Sequence, residues 1–176
     1  MPADDEFLRQ LNEHFRNRGA DELPGEGVPA EEEEPTRRGR ELNEREVKVV
    51  GVYQHAHGGA FVVVRDSRSR NLPIWIGEAE AYSIALAIEG SATPRPMTHD
   101  LTKLLVERLG GNLQYILVDD LYNNVYYAKL VLEQREEQVE IDCRPSDAIA
   151  LALRFKAPIY VADAVLDEGQ WEVSEE

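Results

Sequence analysis

The chain has 176 residues, 43% of them hydrophobic and 30% charged, and a formal net charge of −15. That length and apolar content suffice for one compact domain plus a tail. No apolar run approaches the roughly 20 residues of a membrane helix, and the acidic start at Asp4, Asp5 and Glu6 is unlike a secretory signal.

A single cysteine, Cys143, leaves no internal disulfide and fits a reducing compartment, so a soluble cytoplasmic protein with no membrane partner is expected. The net acidity repels phosphate backbones at long range, so a role on nucleic acid requires a local basic patch or bound cations.

From the N-terminus, Phe7, Leu8, Leu11 and Phe15 form one apolar stripe on a short helix. Residues 20–43, with Pro24, Gly25, Gly27, Pro29, the run Glu31–Glu34 and Arg37-Arg38-Gly39-Arg40, read as a linker poor in apolar groups. Residues 1–45 are thus expected to be a short helix and a flexible acidic linker, 46–166 the folded domain and 167–176 an acidic tail around Trp171. Val47, Val49, Val50 and Val52 predict a first strand, the Gly-rich segment His55–Gly59 a turn, and Ala60–Val64 a second strand. Leu72–Ile76 predicts a third, with Pro73 near its start, where a missing N–H is tolerated.

Gly77 breaks that strand, and a helix runs from Glu78 to Glu89 with Glu78 and Glu80 in its first turn, where the dipole favours carboxylates. After a two-proline loop, Thr98 is read as an N-cap, and Leu101, Leu104, Leu105 and Leu109 mark an amphipathic helix closed by Gly110-Gly111. Leu113–Leu121 and Val125–Glu133 form a hairpin about the turn Tyr122-Asn123-Asn124, with Tyr126, Ala128, Leu130 and Leu132 on one face.

The segment Val139–Val161 organises the rest. Val139 and Ile141 alternate with Glu140 and Asp142 as in a half-buried strand, and Pro145 opens a helix that Ser146 or Asp147 can cap. Ala148–Leu153 contains no polar residue, so that helix must be covered on most sides. Arg154 and Lys156 suit its C-terminal dipole, and Pro158 stops it before a last strand. Ser83–Ile88 parallels Ala148–Leu153, which suggests two similar strand–helix corners. The order of elements predicts an α+β fold: a mixed, mostly antiparallel sheet of six or seven strands with three packed helices.

Three polar clusters are candidates for chemistry: Asp142, Arg144, Ser146 and Asp147 at the elbow; Glu78 and Glu80; and Arg95, His99 and Asp100. Arg144 is placed to lower the Cys143 thiol pKa. His55 and His57 read as surface residues.

The blocks Leu72-Pro73-Ile74-Trp75-Ile76-Gly77-Glu78-Ala79-Glu80-Ala81, Arg95-Pro96-Met97-Thr98-His99-Asp100-Leu101 and Ile141–Ala152 resemble, in order and spacing, signature blocks of the bifunctional nuclease domain family. The resemblance covers residues 46–166. It implies a compact α+β domain and a nuclease acting on DNA and RNA, with nucleic acid as partner. It supplies no assigned catalytic residues, so roles come from chemistry.

Phosphodiester hydrolysis commonly uses carboxylates around Mg²⁺ or Mn²⁺. The expected ligands are Asp142 and Asp147, joined by Glu78 and Glu80. His99 and Asp100 are expected to handle protons with Asp147; Arg144 stabilises charge, and Arg95 and Ser146 bind substrate. Two rival readings are a non-enzymatic small-ligand or protein-binding regulatory module, and a homo-oligomer assembled through Tyr126 and Tyr127.

Overall fold

In the computed structural model, which describes residues 43–55 and 58–170, seven strands form one mixed sheet with four helices. The Phe7–Phe15 stripe, the linker, His57 and the tail from residue 171 lie outside the described residues. The elements, in chain order, are β1 (Glu44–Gln54), β2 (Ala60–Asp66), β3 (Asn71–Ile76), α1 (Glu78–Glu89), α2 (Thr98–Arg108), β4 (Gly111–Tyr122), β5 (Val125–Gln134), β6 (Glu137–Cys143), α3 (Pro145–Phe155), β7 (Ile159–Ala162) and α4 (Asp163–Gly169). The helix beyond the expected three is α4, where the sequence suggests only one last turn at Ala164–Leu166; its Val165 and Leu166 are buried while its other side chains are polar or small.

The sheet order is β3-β2-β1-β7-β4-β5-β6. Two antiparallel meanders, β1–β3 and β4–β6, are joined through β7, which pairs antiparallel with β1 and parallel with β4. Val49 and Val50 follow one another because the register slips between Val49 and Gly51. The bulge moves Val52 onto a new phase and bends the strand. At the β4–β5 turn Asn123 and Asn124 both hold positive φ, 49° and 62°, a conformation asparagine tolerates better than most residues.

One core joins Val47, Val62, Leu72, Ile74, Ile116, Val118 and Leu130 of the sheet to Ile84 of α1, Ala148–Ala152 of α3 and Leu166 of α4. Pro145, Ser146 and the whole run Ala148–Ala152 are buried, as the unbroken apolar sequence requires. The alanines bring α3 close to its neighbours, and Ile149 alone contributes about 1.5–3 kcal/mol of apolar burial.

The amphipathic reading of α2 is turned around. No residue of that helix is buried, and Leu101, Leu104 and Leu105, with Leu109 just beyond, are exposed. Val106 is the residue it packs, partly buried, against the core, and polar contacts add to this: Lys103 Nζ donates to the Arg154 carbonyl at 3.0 Å and lies over the Phe155 ring.

Two capping expectations are also corrected. Thr98 is the first helical residue and Met97 the N-cap, whose N–H donates to Asp100 Oδ2 at 3.0 Å. At α3 the N-cap is Arg144, and neither Ser146 nor Asp147 caps with its side chain.

Candidate active site

Three helices present a carboxylate at their third residue: Glu80 in α1, Asp100 in α2 and Asp147 in α3. Each lies where exposed N–H groups and the dipole favour negative charge, and each meets an arginine. Arg144 Nε donates to Asp147 Oδ2 at 2.8 Å, and its Nη2 donates to Asp147 Oδ1 at 3.1 Å and to Glu80 Oε1 at 2.7 Å. The two similar corners therefore face one another across a guanidinium. Arg154 Nε donates to Asp100 Oδ1 at 2.6 Å, and its Nη2 to the Ser83 carbonyl at 3.2 Å.

Gly77 makes the first corner possible in a way its strand-breaking character does not reveal. A Cβ there would stand 2.3 Å from Glu80 Oε2. The carboxylate folds back over the N-cap into space that only glycine leaves.

His99 joins the three helices. Its Nε2 lies 3.1 Å from Asp147 Oδ1 and its Nδ1 2.9 Å from Ser83 Oγ. A carboxylate only accepts, so Nε2 carries the proton and donates to Asp147. In the neutral ring, Nδ1 then accepts from the Ser83 hydroxyl. Because a hydroxyl also accepts, the Ser83 contact survives a proton arriving at Nδ1.

Burial works against ionisation of Asp147, but the hydrogen bonds from Arg144 and His99 prevail and hold its carboxyl below the usual carboxylate range. Asp100 is lowered chiefly by its hydrogen bond from Arg154, against partial burial. Burial pushes the Cys143 thiol up to about 12, with Asp142 and Asp147 adding to the rise, so the expected activation by Arg144 does not occur.

Arg144 is the open end of the network. Its side chain is 66% exposed, against 17% for Glu80 and 29% for Asp147. The contacts above occupy Nε and Nη2, which leaves the Nη1 N–H pair as a donor edge for an incoming anion.

The remaining expected residues fall elsewhere. Asp142 pairs in register with Lys129, while its neighbour Cys143 pairs with Ala128 on the core face. Asp142 thus projects from the opposite face of the sheet to the core. Glu78 is exposed, Ser146 is buried at 6% and Arg95 lies exposed in the loop before α2. His55 is half-buried against the Trp75 ring. Sequence reading missed Ser83, Arg154 and Gly77. The available signal for Ser83 was one hydroxyl within an otherwise apolar Ser83–Ile88 run, since buried polar groups need partners.

A family model described as the bifunctional nuclease domain matches residues 62–174. The chain belongs to the bifunctional nuclease domain family. The match includes every residue of the Glu80–Ser83–His99–Arg144–Asp147 network.

An uncharacterized protein of Mycobacterium tuberculosis is 40% identical over 126 residues, which cover 70% of this chain and 75% of that one. Bifunctional nuclease 1 of Oryza sativa subsp. japonica is 30% identical, and Bifunctional nuclease 2 of Arabidopsis thaliana 29%, each over 108 residues. Both plant matches cover 60% of this chain but only 33% of the relative, so the chain spans about a third of those proteins.

The expected Mg²⁺ or Mn²⁺ site does not fit this arrangement of side chains. Among the described residues no group of three or more His, Cys, Asp or Glu could hold a metal ion. Glu80 and Asp147 already share Arg144, whose fixed positive charge answers theirs. Asp142 points away from the face that holds the core.

Proposed function

We propose that this member of the bifunctional nuclease domain family hydrolyses phosphodiester bonds of DNA and RNA at the Arg144–Asp147–His99 network. The observation that carries this reading is Arg144, anchored by two carboxylates yet two-thirds exposed, with its Nη1 edge turned to no acceptor among the described residues. A rigidly held guanidinium binds the non-bridging phosphate oxygens and stabilises the charge that grows on them during in-line attack.

An anion at Arg144 draws guanidinium charge away from Asp147 and so raises the basicity of that carboxylate. Asp147 then accepts the proton of the attacking water, while the Nε2–H of His99 holds it in place. The bond from phosphorus to the leaving oxygen breaks, and that oxygen takes its proton from solvent on the open side of Arg144. A divalent ion would enter only by displacing Arg144 from Glu80 and Asp147, and no step here passes through one.

The testing experiment is cleavage of fluorogenic DNA and RNA oligonucleotides by rigorously purified protein, in EDTA and in added Mg²⁺ or Mn²⁺. Arg144→Gln serves as the control for contaminating nuclease. Cleavage by wild type and not by Arg144→Gln is expected. Saturable binding of nucleotides or phosphate without turnover would instead favour a non-enzymatic ligand-binding module, a reading supported by the net charge of −15.

A further inference from the structure

The reaction above gives no role to the Ser83 hydroxyl. Ser83 is 2% exposed and sits in α1 among Ala81 and Ile84, both buried. A serine inside a helix commonly bonds back to its own helix, to the carbonyl four residues earlier. Here Oγ crosses instead to α2 and meets His99 Nδ1 at 2.9 Å.

One hydrogen bond, from Nε2 to Asp147, leaves an imidazole free to rock about that contact. A second bond at the opposite nitrogen fixes the plane of the ring. The ring is carried by α2, anchored on one side by α1 and on the other by α3. The anchor is itself held, because the Ser83 carbonyl accepts from Arg154, which also binds Asp100 at the start of α2.

We infer that Ser83 is a positioning residue: its hydroxyl, donated to Nδ1, holds the His99 ring in the orientation that aims Nε2–H at Asp147. This deepens the proposed nuclease reading and rests on the part that Asp147 and His99 play in it. The charged groups around the ring are Asp147 from α3, Arg144 and Glu80 beyond it, and Arg154 and Asp100 behind Ser83.

The test uses the full chain labelled with ¹⁵N-histidine, with the His99 signals assigned by their loss in His99→Gln. Ser83→Ala removes only Oγ and installs a residue that helices favour. In wild type the Nδ1 resonance is expected at the position of a hydrogen-bonded acceptor. In Ser83→Ala it should move to that of an unbonded ring nitrogen, and the Nε2–H proton should exchange faster with water.

On an oligonucleotide substrate, kcat should fall roughly 10- to 100-fold, the scale of a misplaced reacting group. KM should stay unchanged, because Arg144 is untouched. Identical nitrogen spectra in wild type and Ser83→Ala would overturn the proposal, as would an unchanged kcat. If neither protein cleaves DNA or RNA, the nuclease reading fails and the spectra still decide whether Ser83 holds the ring. Should Ser83→Ala not fold, Ser83→Cys is read in the same way: a shifted Nδ1 signal supports the role and an unshifted one overturns it.

Discussion

Arg70 and Arg144 are each held by carboxylates from more than one element, yet only Arg144 faces solvent. The Arg70 side chain is 12% exposed and pairs with Asp66 at 2.8 Å, Asp163 at 2.6 Å and Asp167 at 2.5 Å. Those bonds occupy Nε and both terminal nitrogens and tie the β2–β3 turn to α4. Arg45 brings β1 to the same Asp163. Arg144 has two carboxylate partners against three, greater exposure and, among the described residues, one terminal nitrogen without a bond. Identical chemistry gives a structural pin where every guanidinium nitrogen is engaged and a binding group where one is left over.

Substitution at the two arginines should separate the roles most sharply. Arg144→Gln is expected to lower kcat/KM on oligonucleotides by about 10²–10³-fold, the scale of a lost charge-stabilising donor, with the melting temperature nearly unchanged. Arg70→Gln should destabilise the fold by about 3–5 kcal/mol, because it strands the buried Asp66 carboxylate, while leaving the activity per folded molecule intact. Denaturant unfolding and steady-state rates on both variants check this. The opposite pairing of effects would end the distinction.

The Gly77 cradle gives a smaller effect of the same kind. Gly77→Ala should push Glu80 off Arg144 and reduce the rate by roughly tenfold, since a side-chain displacement of ångström size suffices for that. The backbone at Gly77 has φ −71°, which alanine adopts freely, so stability should barely move. A rate equal to wild type would show that Glu80 is not needed to hold Arg144.

Acid should find the pin as well. Hydrogen bonds from Arg45 and Arg70 hold the Asp163 carboxyl down at about 2. A carboxyl depressed in the folded state stabilises it fully above the ordinary value near 4 and loses that contribution as pH falls through about 2. Asp66 is likewise lowered: its burial opposes ionisation, but its bonds from Arg70 and Arg68 prevail. Unfolding free energy should therefore drop between about pH 4 and 2 in wild type and follow a flatter course in Asp163→Asn. The smallest effect is expected at Asp142→Asn, whose side chain stands off the core face. Its rate should match wild type, and a large loss would restore it to the site.

Much of this was legible in the chain. The Glu78–Glu89 span of α1, the buried Ala148–Ala152 run and the turn at Asn123 and Asn124 follow from local periodicity and turn chemistry. Arg144 and Asp147 stood out because an elbow needs fewer polar groups than were present. The alternation of Val139 and Ile141 with Glu140 and Asp142 already sends Asp142 to the face opposite the core, where it pairs in register with Lys129. The leucines of α2 suggested an inward stripe, but the helix turns Val106 to the core and His99, Asp100 and Lys103 to distant partners. Ser83 and Arg154 depend on partners 16 and 54 residues away; no local pattern encodes such pairings.

The four residues of β7 join the two halves of the sheet. The β1–β3 and β4–β6 meanders can each pair from local contacts, but they become one sheet only when Ile159–Ala162 slots between them. Glu80 and Ser83 follow the first meander, Arg144 and Asp147 the second. A nascent chain that has emerged only as far as Asp147 therefore carries every group of the network without the framework that brings the two halves together. The two halves of the network share one sheet only once the last strand is in place, so a chain cut short before Ile159 is expected to lack the assembled site.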